Sequence, residues 1–446
     1  MGLEDHPTVK WFREKESKGP GATASEMLEA KALKTLAMSA GAHDMGLVSI
    51  DNPNLAGEAQ EILELFPRTK ALISFVCRLN RENIRSVSRA VADLEFLQGF
   101  EKVNRVARKL VSQLSEKGIF AVNHSVGFPM NLAAWPGKIW SVSHKTVAVA
   151  AGLGHLGHNR LVIHPRFGNF VLLGTVLIDQ AVTVYDQPLD YNPCIKCGLC
   201  VSVCPVGAIA SDGRFNFANC MTHNYRDRLG GFSDWVESIV KSKSVSDYRK
   251  RITDSETVSM WQSLSYGICN KSSYCMAVCP AGKDHIEPYL TNRKEYSSQV
   301  VKPLQRTAET VYVLSGSDAE AHVSKKFPHK KIKRVGTGLR PASAAGFLDS
   351  LDLIFQRERS EGLEATYHFT FTGDEQCKGT VIISNRTLEV TTGHVGTANI
   401  AVTADTRTWL DFLAKEKNLF WALLQRKIRI KGSPVLMKKF AGCFPL

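Results

Sequence analysis

Apolar residues recur at helical spacing from residue 24 onward. In SEMLEAKALKTLAMSA they fall at Met27, Leu28, Leu33, Leu36 and Ala37, with Ser25 as N-cap and Gly41 as the stop. MGLVSI at Met45–Ile50 then reads as a strand. A second unit follows the same plan, with a helix over about 55–66, Pro67 as breaker, and strand ALISFVCRL over 71–79. A long amphipathic helix over roughly 83–117 precedes a strand in IFAVNH at 119–124. Helices alternating with strands predict an α/β domain. Residues 1–23 are polar and broken by Gly19, Pro20 and Gly21, so they read as an extension holding one short helix.

The pattern changes twice further on. Ser141–Ala151 is helical in spacing, GLGHLG at Gly152–Gly157 is a glycine-rich turn, and Asn169–Ile178 is a buried strand. From Pro341 the order is α+β: a helix over about 342–359, then strands near 365–372, 379–384, 387–392 and 399–403. Helices from Thr406 and around 419–425, strand IRIKG at Ile428–Gly432 and a last helix with VLMKKF complete it. The alternation suits a sheet covered on one face. The expected bodies are therefore an extension (1–23), an α/β cofactor-binding domain (24–189), a cysteine-rich domain (190–291), a basic linker (292–340) and an α+β domain (341–446). Within the linker, SKKFPHKKIKR at Ser324–Arg334 holds six Lys or Arg and no acid. It reads as a solvated tether, the alternative being a docking patch for an acidic partner or anionic lipid.

Cysteine carries the chemistry. PCIKCGLCVSVCP spaces Cys194, Cys197, Cys200 and Cys204 as Cys-x2-Cys-x2-Cys-x3-Cys, with Pro205 next. That is the bacterial-ferredoxin signature of a 4Fe–4S cluster, whose fourth cysteine ligates a second cluster. Zinc favours two Cys-x-x-Cys pairs, and disulfides belong to secreted chains, so both fit less well. Cys220, Cys269, Cys275 and Cys279–Pro280 follow, which brings the set to the eight that two clusters need. Ferredoxin geometry places Cys194, Cys197, Cys200 and Cys279 on one cluster and Cys204, Cys220, Cys269 and Cys275 on the other. Cys77, Cys377 and Cys443 read as small buried hydrophobes. GLGHLG fits G-x-G-x-x-G but follows a helix, so it lacks the dinucleotide context. It reads instead as backbone approaching a flat ligand or a cluster. Nearby His144, His155, His158 and His164 read as structural or solvated, since no carboxylate pattern supports a mononuclear metal.

Bulk numbers narrow the class. The 446 residues are 44% hydrophobic and 22% charged, ordinary for a globular protein. The longest apolar run, FVLLGTVLI at Phe170–Ile178, is too short to span a membrane. No export signal is visible at the N-terminus, so a cytoplasmic chain without integral membrane association is expected. The net charge of +13 suits an acidic electron donor, anionic lipid or nucleic acid. Nucleic acid ranks lowest, because aromatic residues do not interleave the basic stretch.

The cysteine run, the lone Cys220 sixteen residues after Cys204, and the closing group ending in Cys279–Pro280 resemble the ferredoxin domain of epoxyqueuosine reductases, relatives of the reductive dehalogenases. SHKTVAVAAGLGHLGHNRLVIHPRFGNFVLLGTVLID is similar to the segment joining that family's corrinoid-binding domain, a nitroreductase-like fold, to its clusters. Over roughly 25–290 the resemblance implies a cobalamin held base-off near Gly152, Leu153, Gly154, His155 and Gly157. A low-potential ferredoxin- or flavodoxin-type donor would feed it through the Cys204 cluster and then the Cys194 cluster. The implied reaction is reductive removal of a leaving group or an epoxide oxygen. The family's general-acid Asp is absent, because Lys138 stands at that spacing, and five residues separate Cys269 from Cys275 instead of two. A queuosine-tRNA substrate is therefore not expected. His144, Lys145 and Lys138 are the candidate proton donors, His144 first for its pKa, with Tyr225 a further choice. From about Phe347 to Phe444 the chain resembles the sterol-carrier lipid-transfer domain, which implies an apolar tunnel for a hydrophobic substrate or lipid. The alternatives are an electron-transfer protein with flavin or no organic cofactor, and a lipid-binding protein with structural clusters.

Overall fold

The N-terminal sheet is built from β1 (Asp44–Ser49), β2 (Ala71–Arg78), β3 (Ala121–Asn123) and β6 (Val171–Ile178), with a small ladder of β4 (His155–Leu156) and β5 (Val162–Ile163) set before β6. This computed structural model describes residues 2–16, 27–126, 130, 131, 133, 135–227, 230–267, 271–336 and 338–445. The sheet order is β1-β2-β6-β3 and every pairing is antiparallel. Its side chains alternate between two cores. Leu47, Ile73 and Val176 face helices 30–40 and 89–115, while Val48, Leu72 and Leu177 face helices 56–65 and 144–150. With both faces covered, β2 has no polar face to show water, which is why ALISFVC reads as one apolar run.

Two expected helices are shorter in the fold. The first begins at Ala30, capped by Glu29, because Leu28 is drawn into a bridge with Val182. Ser25 lies outside the described residues. The long helix is two, Arg81–Arg85 and Arg89–Ser115. Ser86 turns extended between them, and its hydroxyl accepts from the Ser88 N–H.

Residues 292–340 are not a tether. They hold short helices, then β7 (Thr310–Leu314), helix 318–326 and β8 (Lys331–Val335), with β7 and β8 parallel. Val311, Val313, Ala319, Val323 and Phe327 pack against Cys204, Val206 and Ala208. The unit also satisfies carbonyls at the end of the cysteine helix 199–203. Gln305 Nε2 donates to Ser202 O at 3.0 Å and Lys326 Nζ to Val201 O at 3.3 Å. The basic stretch misleads because its carboxylates come from elsewhere in the chain. Lys330 pairs with Glu309 at 2.8 Å, Lys333 with Glu256 at 2.7 Å, and Arg334 with Glu320.

The C-terminal body has β9 (Ala365–Thr372), β10 (Lys378–Ser384), β11 (Thr387–Thr392), β12 (Ile400–Asp405) and β13 (Ile428–Gly432), in the order β11-β10-β9-β12-β13. β12 runs parallel to β9, and the other pairs are antiparallel. Ala365, Tyr367, Phe369 and Phe371 alternate inward onto Phe347, Trp409 and Phe440. Helix 344–354 at the β11 edge meets helix 217–224 of the cysteine-rich part. Asn216 donates to Phe355 O at 3.2 Å and Arg357 pairs with Asp212 across the same junction. Among the described residues no helix is long and apolar enough to cross a membrane.

The unit over 292–340 gives a direct check. Phe327→Ala removes a buried ring from the wall behind Cys204 and should cost about 3–5 kcal/mol in chemical denaturation, with loss of bound iron. A tether would give no change in either.

Candidate iron–sulfur centre

The loop before helix 199–203 is shaped by Lys196 and Gly198, both in the left-handed region at φ 51° and 73°. The two turns curl the chain so that cysteines three apart face one side. Asn192 Oδ1 accepts from the Cys194 N–H at 2.9 Å, and its amide donates to Leu156 O at 3.0 Å, pinning the loop to β4. Cys194, Cys197, Cys200 and Cys279 line one cavity. Cys279 reaches it from the far end of the domain, on backbone locked to the loop before β6. A Cβ on Gly168 would stand 2.0 Å from Ala281 O, and one on Gly282 would stand 2.3 Å from Gly168 N. The His158 N–H points at Cys194 Sγ, 3.5 Å away, and the His158 ring lines the cavity.

Cys204 is buried on the other side of its helix, where the Ala208 N–H donates to its sulfur at 3.3 Å. Cys220 packs beside it. Burial raises both thiols, and Cys220 is raised further by Cys204 and Cys275. Burial, then Cys204 and Cys200, push Cys275 up to about 12. On the first set, burial and then Cys197 and Cys194 push Cys200 up to about 12, and Cys279 is raised by the same causes. Cys269 lies outside the described residues.

This arrangement fits clusters. Four thiols around one cavity form an all-sulfur donor set, and their mutual repulsion means they cannot all ionise without a bound cation. Among the described residues no three His, Cys, Asp or Glu converge as the ligands of a single ion would.

The other candidate residues lie differently. His144 Nδ1 is 2.8 Å from Thr175 Oγ1, and its ring meets His124 edge-on at 5.5 Å. Desolvation, then the neighbouring His124, pulls it down to about 4, so it is a neutral imidazole at pH 7 and no proton reservoir. Lys138 is clamped by Glu58 and Glu61, so its charge is spent on an ion pair. Lys145 donates to Arg160 O at 3.0 Å. Desolvation lowers its pKa, while Cys220 and Cys275 pull the other way, which places it beside the second cysteine set. The Tyr225 N–H closes helix 217–224 on Met221 O.

On the side where a Cβ would stand, the glycine turn packs against its own chain. A Cβ on Gly152 would lie 2.4 Å from Gln187 O, one on Gly154 2.5 Å from Ile163 O, and one on Gly157 2.7 Å from the Ile163 side chain. Leu153 is buried in a small core, and His155 Nδ1 sits 2.9 Å from the Asn192 amide. What the turn does is deliver His158 to Cys194 and Asn159, whose amide donates to Cys275 O at 3.2 Å. Asn192 and Asn159 were missed at the sequence level, although Asn-Pro before Cys194 is a turn signal.

Residues 188–210 match the 4Fe-4S binding domain, and residues 351–445 match the SCP-2 sterol transfer family. Over 161 residues, 35% of this chain, the sequence is 28% identical to an epoxyqueuosine reductase of Lactococcus garvieae. The chain joins an epoxyqueuosine-reductase-like iron–sulfur segment to a sterol-transfer domain. An epoxyqueuosine reductase of Pseudomonas aeruginosa is 30% identical over 120 residues, 27% of this chain. The match spans 38% of the first relative's length and 31% of the second's. Among solved structures the chain is similar to a catabolic reductive dehalogenase in complex with 3-bromo-4-hydroxybenzoic acid (TM-score 0.39, 16% identity, 65% of this chain and 36% of that one). It is also similar to epoxyqueuosine reductase from Streptococcus thermophilus (TM-score 0.33, 14% identity, 62% and 90%).

The histidines set a pH dependence. His144, like His43 and His223, is held near 4 in the fold, against 6.5 in the unfolded chain. Between those values the unfolded chain binds the extra proton, so stability falls as pH drops from about 6.5 toward 4. His144→Gln should remove part of the stability difference between pH 7 and pH 5, measured by anaerobic chemical denaturation, with His43 and His223 and the likewise lowered His124, His285 and His322 supplying the rest of the histidine share.

Proposed function

We propose that this chain is an iron–sulfur reductase that passes electrons through two 4Fe–4S clusters to a cobalamin bound by its N-terminal α/β unit. The observation that carries the reading is the division of the cysteines into two sets. Cys194, Cys197, Cys200 and Cys279 share a cavity, while Cys204, Cys220 and Cys275 are coupled on the buried side of the same helix. Cys269, which lies outside the described residues, is the fourth member that the sequence assigns to the second set.

The order of the relay is the reverse of the one expected from sequence. The first set lies on the exposed loop, where Ile195 is 42% exposed, and the second lies inward beside Lys145. Electrons from a ferredoxin- or flavodoxin-type donor enter at the Cys194 set and leave from the Cys204 set. A bound cobalamin supplies a strongly reducing metal centre for removing a leaving group or an oxygen. It is supported by the resemblance, and Gly152, Leu153, Gly154, His155 and Gly157 are the residues that would hold it. Thr175 and His124 fix the orientation of the nearby His144. The sterol-transfer domain presents a hydrophobic substrate.

A second reading, an electron-transfer protein with flavin or no organic cofactor, takes the glycine turn as a packing device against Gln187 and Ile163. Mass spectrometry of the organic cofactor in protein isolated without oxygen separates them. Cobalamin at about one per chain supports the first, and its failure to bind the cluster-loaded protein overturns it. Iron should reach about eight per chain and fall to about four in Cys279→Ser, with one set of reduced-cluster electron paramagnetic resonance signals lost. Lys145→Met should make the second cluster harder to reduce, by on the order of tens of millivolts, because one positive charge no longer offsets the added electron. A redox titration should show the first cluster unmoved.

A further inference from the structure

Helix Leu419–Leu424 packs into the C-terminal core through Ala422 and Leu419 and turns its remaining side chains to solvent. Phe420 is 65% exposed, Trp421 58% and Leu424 63%, with Leu423 exposed between them. Isolated exposed apolar residues need no explanation, but four within one and a half turns form a patch. Val435, at the start of the last helix, is exposed as well.

The surroundings of this patch are basic. From Ala414 to the C-terminus there are eight Lys or Arg and a single acid, Glu416, so this stretch supplies more than half of the chain's formal +13. Arg429 and Lys431 alternate with Ile428 and Ile430 along β13 and lie on its outer face. Arg426, Arg429, Lys431, Lys438 and Lys439 are in no described salt bridge, whereas Lys427 lies near enough to Asp405 to lower that carboxyl's pKa. A second exposed apolar face, on helices 230–240 and 254–266, lacks this feature. Residues 230–266 carry five bases and five acids, so nothing there selects a charged partner.

An aromatic and leucine patch ringed by cations is the composition of an interfacial membrane contact. Aromatic rings settle at the headgroup level, and Lys and Arg meet anionic phosphates there. β13 is also the sheet edge opposite the one that meets the cysteine-rich part, so that part does not cover it. We propose that helix 419–424, together with the basic β13 surface beside it, docks on an anionic lipid bilayer. Phe420, Trp421 and Leu424 enter the headgroup region, and Arg426, Lys427, Arg429 and Lys431 hold the phosphates. This inference stands on the surface alone and does not depend on the reductase reading.

The test uses the full cluster-loaded chain and vesicles of phosphatidylglycerol with phosphatidylcholine, against phosphatidylcholine alone. Co-sedimentation should require the anionic lipid and be released by about 0.5 M salt. Phe420→Ser with Trp421→Ser should weaken it at least tenfold, as should replacing Arg426, Lys427, Arg429 and Lys431 by Gln, both with iron content unchanged. Should the serine pair disturb folding, Trp421→Phe serves in its place. It should keep binding yet lose the fluorescence quenching that brominated lipid causes in the parent chain. Equal binding to both vesicle types overturns the proposal, as does binding that none of these changes weakens. A dimer in solution that the Phe420 and Trp421 changes dissolve would assign the surface to a second copy and overturn it too.

Discussion

Crowding seven described thiols into one small domain is the constraint to which the rest of the chain answers. Burial lifts a thiol's pKa and each neighbouring sulfur lifts it further, as at Cys200, Cys220, Cys275 and Cys279. Without a bound cation such a set is driven apart or kept protonated. The chain therefore surrounds it with backbone that cannot shift. Left-handed turns at Lys196 and Gly198 shape one loop, and the Gly168–Gly282 contact fastens the other. Larger side chains at Gly168 or Gly282 would separate the loops before any metal could hold them together.

The wall behind Cys204 meets the same demand with charge. Glu309 accepts from Tyr274 at 3.0 Å and from Lys330 at 2.8 Å, and His223 stands 3.8 Å away with burial holding it neutral. Lys330 is only 5% exposed. Such a buried pair gains little net stability, since desolvation offsets the attraction. Its effect here is registry. Tyr274 adjoins Cys275, His223 shares a helix with Cys220, and Glu309 and Lys330 bracket the β7–β8 unit. One network thus fixes three segments around the second cysteine set.

How much of this was legible in the sequence depended on whether the cause was local. The strand over 365–372 was readable to the residue because its alternation reports one buried face. The cysteine run was readable because its spacing is the ligand geometry. The β7–β8 unit was hidden, since the partners of Lys330, Lys333 and Arg334 lie up to 77 residues away and a window of eleven looks unpaired. The glycine turn was legible only in part, for a related reason. Its sequence shows that backbone must come close to something, while the identity of that surface, Gln187 and Ile163, is a tertiary fact. Lys138 had the same difficulty, because Glu58 and Glu61 neutralise it from a helix some eighty residues earlier.

The order of the C-terminal sheet bears on how its two ends can cooperate. Helix 344–354 meets the Cys220 helix at the β11 edge, while helix 419–424 sits at β13. Four strand spacings separate those edges, about 19 Å at roughly 4.8 Å each. A hydrophobic molecule taken up at the β13 side cannot touch the cysteine-rich part directly. Between those edges lies the aromatic core of Phe369, Phe371, Trp409 and Phe440, where ring centroids stand 5.6–6.1 Å apart. Rings in contact at that spacing pack the core solidly, so the sheet acts as a spacer that holds its two ends at a fixed separation.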